Sequence, residues 1–419
     1  MTGPRRGLRS TTVKLDEAPD LLSLVPPGGG VVAWLTESMG LVASGPFVRL
    51  DPGTGPGRFE RGSEQFKQLL EGAEIRDDVD LPGTGPVLFG SWTFDPETPG
   101  SHLLVPSTIH GYHEGVSWLT TVDLPAGAGS ADPSTGSPDG IGSEQEWIGS
   151  VESALEAISS GRVQKVVLAR QVKVAGKLPH DQHAIAGRLR EAYPGCFTFC
   201  FDNLVGASPE LLIRRLGDVV DSIPLAGSAP RGKTEDEDRE LGRKLRGSAK
   251  NLSEHWLTVT SVMDRLAPFC SELISEPEPS LLLLANLQHL STKVQGRLSG
   301  PADALQLTGA LHPTAAVCGV PQQRALELIR LLETFERGRY AGPIGWMDRH
   351  GDGEWALALR CASIEGTEAR VFAGAGIVAG SDPADELEET RLKLQAMLAG
   401  LEQMPQGASE KDTTGAPSI

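Results

Sequence analysis

From Val163 onward the chain reads as strands mixed with helices, and several strand pairs are joined by turns too short to cross back over a sheet. The clearest is MDRHGDGEW (347–355), a Gly- and Asp-rich turn between the strand-like runs Tyr340–Met347 and Trp355–Ile364. Parallel neighbours need a crossover of a dozen or more residues, so a turn of this kind joins antiparallel strands. Other strand-like runs are Val163–Val174, Phe197–Val205, Leu211–Arg215 and Arg370–Val378. Helical periodicity covers Glu144–Ser159, Asp181–Ala192, Asp236–Leu266, Pro321–Glu336 and Pro383–Leu401, with Thr234 and Glu237 spaced as a capping box. The mixture lacks regular βαβ alternation and predicts an α+β fold.

Composition narrows the function classes. With 38 basic and 55 acidic side chains the formal charge is −17, which repels phosphate backbones and sets nucleic acid aside as a partner. A hydrophobic fraction of 39% over 419 residues can fill a sizeable core and excludes disorder along the whole chain. No run approaches the roughly 18 apolar residues of a membrane span, and no apolar segment follows the N-terminal arginines as in a signal peptide. A soluble cytoplasmic protein without a membrane partner is expected. Cys196, Cys200, Cys270, Cys318 and Cys361 are scattered and odd in number, so neither a disulfide framework nor structural zinc is expected. Residues 1–12 are expected to form a disordered leader and 403–419 a disordered tail. A Gly/Ser/Pro-rich stretch at 124–146 reads as a flexible loop between an N-terminal part (13–123) and a denser part (147–402).

Several polar residues stand where a core pattern calls for apolar ones. Alternation places Lys165 with Val163, Val167 and Ala169, where it must pair, reach a sheet edge or lose its proton. Considered as one strand alone, an edge lysine in water is the simpler reading. Arg360 shares a face with Ala356, Ala358 and Ala362, leaving space for a bound carboxylate or for an internal salt bridge. Glu386, Glu389 and Lys393 form one helical stripe bordering the buried stripe of Leu387, Leu394, Met397 and Leu401. Glu254 and His255 lie within a helix, and two glutamates from two helices suit Mg²⁺, which takes oxygen ligands and keeps several waters. GAGIVAGSD, from Gly374, formally matches a dinucleotide fingerprint, but no βαβ unit follows it. A backbone turn donating N–H groups to an anion is the better reading. PLAGSAPRG, from Pro224, and HPTAAVCGVP, from His312, read as further turns.

Taken in order, these features resemble the chorismate-utilising enzymes, the family of isochorismate, salicylate, anthranilate and aminodeoxychorismate synthases. The matching runs begin with KVVLAR (165–170), GASPELL (206–212), PLAGSAPRG (224–232), Glu254-His255 and LQHL (287–290). They continue with LHPTAAVCGVP (311–321), GPIGW (342–346), EWALALRCA (354–362), FAGAGIVAGSDP (372–383) and EETRLKL (388–394). The resemblance implies one large domain of two packed, mainly antiparallel sheets with helices outside and the site in a cleft. It also implies roles. Lys165 matches the general base and Glu210 the general acid. Glu254, Glu389 and Glu386 match the Mg²⁺ site, with Asn251 in a supporting position. Gly227, Ser228 and Lys393 match groups around the ring carboxylate of chorismate. Arg360 and Tyr340, with Gly374 and Gly376 nearby, match those around its enolpyruvyl carboxylate. His289 and Thr314 match pocket residues.

Within the family, a lysine nucleophile is replaced here by Ala226, which closes the covalent aminodeoxychorismate route. PLAGS and Ala316, where ammonia-using and salicylate-forming members usually carry PIAGT and a threonine, resemble the isochorismate synthase branch. The expected reaction is a Mg²⁺-dependent isomerisation of chorismate, feeding menaquinone or siderophore biosynthesis, by a chain expected to be a monomer. Salicylate synthesis is the alternative within the family. A non-catalytic chorismate sensor is the alternative from another class.

Overall fold

Lys165–Ala175 and Glu368–Val378 pair antiparallel along their full length, with Lys165 opposite Val378 and Ala175 opposite Glu368. At its start the first of these strands also pairs with Gly319–Val320, so Lys165 lies between two neighbours and not at an edge. The structure, a computed structural model, describes residues 8–27, 30–124 and 143–402. Nineteen strands share one hydrogen-bonded network, and Leu225–Pro230, Leu287–Ser291 and Ser280–Leu283 form a separate three-stranded sheet. The two sheets are thus very unequal in size. Every pairing among the described strands is antiparallel except Arg9–Leu15 with Glu74–Asp77.

The N-terminal part is built into the same domain. Val32–Leu35 pairs with Phe197–Phe201, and Val87–Ser91 pairs with Pro343–Asp348. The larger hydrophobic core accordingly draws Trp34, Phe89 and Trp92 together with Trp346 and Trp355. A second core sits under the helices Gln182–Ala192 and Pro383–Leu401, around Ile185, Leu189, Met397 and Leu401. Among the described residues, no helix is long and apolar enough to cross a membrane. All five cysteines are free, and four of them are buried.

Several local expectations need correction. The leader cannot extend to Thr12, because Arg9–Leu15 is a strand paired on both sides, with Thr12 fully buried. Residues 1–7, 125–142 and 403–419 lie outside the described residues. The end of the expected loop is already helix: Ser143 and Glu146 make a capping box that opens Glu144–Ser159. Phe197–Val205 is two strands joined by a tight turn, with Asp202 at φ 52°. The helix expected over 236–266 divides at Ser248, which closes Glu235–Gly247 and caps Ala249–Leu266 by accepting from the Asn251 N–H. Thr234 accepts from the Glu237 N–H, but the Glu237 carboxylate turns to the Lys233 N–H, so that capping box is half made.

The most consequential break lies in the run 355–364. Gly353–Leu357 pairs with Pro343–Asp348 and Leu211–Leu216, whereas Cys361–Glu365 pairs with Leu204–Ser208 and Glu368–Val378. Between them the chain changes partners, with Arg360 at φ 48°. Both halves are apolar, so alternation along the sequence runs unbroken through a point where the backbone leaves one ladder for another.

Candidate active site

A cavity lies between the large sheet, the small sheet and two helices. Eleven of the expected residues line it: Glu210, Gly227, Ser228, Glu254, His289, Tyr340, Arg360, Gly374, Gly376, Glu389 and Lys393. Lys165, Thr314 and Glu386 are not among the lining residues, although Lys165 Nζ touches Glu254, which is. Thr314 is buried beside Ala316 and Val317, which do line the cavity, and its hydroxyl has no partner among the described residues. Glu386 is engaged by Lys250, with Nζ 2.6 Å from Oε1.

Lys165 is 0% exposed, so the reading as an edge lysine fails. Its Nζ lies 3.0 Å from Thr258 Oγ1 and 3.1 Å from Glu254 Oε1. Space for this arrangement comes from Gly376, where a Cβ would stand 2.1 Å from Glu254 Oε1 and 3.1 Å from Lys165 Cε. Gly374 and Gly376 therefore sit inside the strand Glu368–Val378, correcting the expectation of an anion-binding turn. The Gly374 carbonyl accepts from Lys393 Nζ at 2.8 Å. PLAGSAPRG is likewise a strand, bulged between Ala226 and Ser228, with Gly227 at φ 77° and packed against Asn251. The unpaired residue of a bulge keeps its backbone groups out of the ladder, and here that residue faces the cavity.

Two carboxyl groups in this cavity are held in opposite states. Glu210 follows the strand Leu204–Ser208 and is almost wholly buried. Burial pushes its carboxyl up to about 8, against the smaller opposing effects of the Leu225 N–H and the charges of Lys165 and Lys393. Burial also raises Glu389, but Lys393 at 2.5 Å, Lys250 and the Ser228 hydroxyl together outweigh it and hold Glu389 below its ordinary value. Glu386, one turn earlier, is raised by burial and by the charge of Glu389.

On the opposite wall, Arg360 Nη2 lies 2.9 Å from His289 Nε2, and Ser228 Oγ lies 3.0 Å from His289 Nδ1. A guanidinium only donates, so Nε2 accepts and Nδ1 carries the proton. Ser228 then turns its own hydrogen toward Glu389 Oε1 at 3.3 Å. Burial, followed by the charges of Arg360 and Lys393, holds His289 well below its ordinary value and therefore neutral. Arg360 Nη1 has no hydrogen-bond partner among the described residues, although the side chain is buried and lines the cavity. An unpaired buried guanidinium N–H is costly unless an acceptor arrives, which suits a ligand carboxylate. Tyr340 stacks on Phe372 at 5.0 Å and 14° beside it.

The donor set fits Mg²⁺ in a restricted sense. Among the described residues no three His, Cys, Asp or Glu side chains converge as a metal site. Glu254 and Glu389 nevertheless face the same cavity from two helices, and Mg²⁺ is commonly held by one or two carboxylates plus waters and substrate oxygens.

Sequence reasoning missed Arg337 and Thr258. Arg337 lines the cavity, pairs with Glu333, and lies 4.1 Å from the Phe94 ring centre. Its i,i+4 spacing from Glu333 resembles any surface helix pair, and the segment is not helical there. Thr258 stands four residues after Glu254 on one helix face, a spacing that could have drawn attention to it.

The chain is similar to known proteins over much of its length. A chorismate binding enzyme family matches residues 128–402. The isochorismate synthase DhbC of Bacillus subtilis is 40% identical over 269 residues, covering 61% of this chain and 68% of that one. The vibriobactin-specific isochorismate synthase of Vibrio cholerae is 36% identical over 348 residues, covering 81% and 84%. The solved structure of MenF, the menaquinone-specific isochorismate synthase of Escherichia coli, superposes with a TM-score of 0.79 at 26% identity, covering 95% of each chain. The chain belongs to the chorismate-binding enzymes.

Proposed function

We propose that this protein isomerises chorismate to isochorismate, with Lys165 as general base and Glu210 as general acid. The observation that carries the reading is one cavity holding a glutamate that burial keeps protonated up to about pH 8 and, in its wall, a fully enclosed lysine. An acid and a base with such different surroundings are what hydroxyl exchange at neutral pH requires. Lys165, as the free amine, takes a proton from the water that attacks C2 of the ring. The ring double bond shifts, and the C4 hydroxyl leaves as water with the proton supplied by Glu210. One water is consumed and one released, so the product is an isomer of the substrate.

Arg360 and Tyr340 hold the enolpyruvyl carboxylate, and Nη1 of Arg360 supplies the donor for it. Lys393 and the backbone at Gly227 and Ser228 face the ring carboxylate. Neutral His289 keeps Arg360 and Ser228 in place through its two ring nitrogens. Glu254 and Glu389 are the residues that would hold Mg²⁺, which would offset the charge of the ring carboxylate. The relatives named above include one vibriobactin-specific and one menaquinone-specific enzyme, so either pathway can take the product.

The test is to incubate the protein with chorismate and Mg²⁺, with and without ammonium, and to resolve products by chromatography with mass detection. Isochorismate without pyruvate is expected. Salicylate with pyruvate would move the protein to the lyase branch, and Mg²⁺-dependent binding of chorismate without turnover would make it a sensor.

A further inference from the structure

The helix Ala249–Leu266 buries one stripe, Glu254, His255, Thr258, Val259, Val262 and Leu266. Beyond Thr258 the stripe is wholly apolar, and Val259 and Val262 show that a valine packs well on this face. A threonine at 258 therefore adds a hydroxyl that neither helix propensity nor core packing asks for. Thr258 is 0% exposed, so that hydroxyl needs partners within the protein.

Its hydrogen-bonding capacity is specifically assigned. Thr258 Oγ1 donates its single hydrogen to the Glu254 carbonyl at 3.1 Å, one turn back along the helix. The oxygen can then only accept from Lys165 Nζ, 3.0 Å away. The other partner of Nζ is Glu254 Oε1 at 3.1 Å. With Cε, Thr258 and Glu254 taking three of the four tetrahedral directions at Nζ, a single direction is left for a further partner. Of the two acceptors, Glu254 lines the cavity and is assigned to Mg²⁺, whereas Thr258 is not among the residues lining it. Thr258 is thus the anchor with no competing claim.

We infer that Thr258 is a positioning residue for the isomerisation: by accepting from Lys165 Nζ it sets the direction in which the amine meets the attacking water. The inference rests on the reading of Lys165 as the base. Thr258 does not touch substrate and acts only through Lys165, so its loss is expected to slow turnover and leave substrate binding alone.

The test is steady-state kinetics with chorismate and Mg²⁺, alongside thermal unfolding, on Thr258→Val, Thr258→Ser and Lys165→Ala. Thr258→Val removes the acceptor at nearly constant volume, and kcat is expected to fall about tenfold or more with KM within about twofold. Thr258→Ser keeps the hydroxyl and is expected to stay within about threefold of the parent. If Thr258→Val does not fold, Thr258→Ala takes its place. Parent-like kcat in the valine variant overturns the inference. So does a serine variant as slow as the valine variant, or a loss confined to KM. Lys165→Ala separates the two levels. If it is inactive while Thr258→Val is fully active, only the positioning role falls. If it turns over normally, the base assignment falls and the positioning role with it.

Discussion

Glu210 and Glu389 are the same residue type lining the same cavity, and they are held in opposite protonation states. Glu389 stands on a helix with Lys393 one turn on, and the pairing holds it ionised against burial. Glu210 is buried without any ion-pair partner among the described residues, and burial prevails. The difference shows that enclosure alone makes an acid, whereas enclosure with a counter-charge makes an anionic ligand. Three lysine–carboxylate pairs, Lys165 with Glu254, Lys250 with Glu386 and Lys393 with Glu389, stand in and behind the cavity lining. Glu210 stands outside that pattern.

The strongest way to break this comparison is to remove the proposed acid or the proposed base. Glu210→Gln and Lys165→Ala are each expected to lower kcat by about 10²–10⁴-fold, the usual contribution of a positioned acid or base, with folding intact by circular dichroism. Next comes the anionic side. Glu389→Gln strips Lys393 of its charged partner and removes a carboxylate proposed to hold Mg²⁺, so calorimetric titration with Mg²⁺ is expected to show binding weakened by about tenfold or more. Gly376→Ala tests the space beneath Lys165. Its Cβ would fall 2.1 Å from Glu254 Oε1. Either the carboxylate or the strand must shift, and a loss of about tenfold in kcat/KM is expected without loss of the fold.

Two smaller effects follow from pH. As the proposed general acid Glu210 has to be protonated, so turnover is expected to decline as pH rises through about 8, measured as a pH profile of kcat. A profile flat to well above that value would remove Glu210 as the acid. The stability effect has a definite sign. The folded carboxyl titrates near 8 and the unfolded one near its ordinary value, so between the two the unfolded chain releases a proton that the folded chain keeps. Glu210 therefore costs stability increasingly as pH rises across that window. Glu210→Gln, which cannot ionise, is expected to gain melting temperature over the parent between about pH 5 and about pH 8.

Much of this site was legible in the sequence because its residues break local patterns. A lysine in a β-branched strand, an arginine among alanines and a carboxylate stripe beside a buried one are each visible within ten residues of chain. Their joint meaning came from the order of motifs, which singled out the family. The residues that escaped notice, Arg337 and Thr258, break no such pattern. A threonine in a helix and an arginine four residues after a glutamate are ordinary, and become distinctive only through residues far away in the chain, Val167 and Val317 for one and Lys165 for the other.

The division follows from the range of the interactions. Side-chain periodicity, turn chemistry and caps act over a few residues, so the sequence by itself determined that the chain is α+β, where several of the strands and helices after residue 143 lie, and which motifs match the family. Tertiary structure alone decided which ladder each strand joins. The partner exchange between Leu357 and Cys361 is unseen by alternation, yet it is where Arg360 is brought to His289. Tertiary structure also decided that Lys165 is enclosed by two neighbouring strands and a helix. Ionisation in the cavity depends on that enclosure, because desolvation and pairing are properties of what surrounds a group and not of its place in the chain.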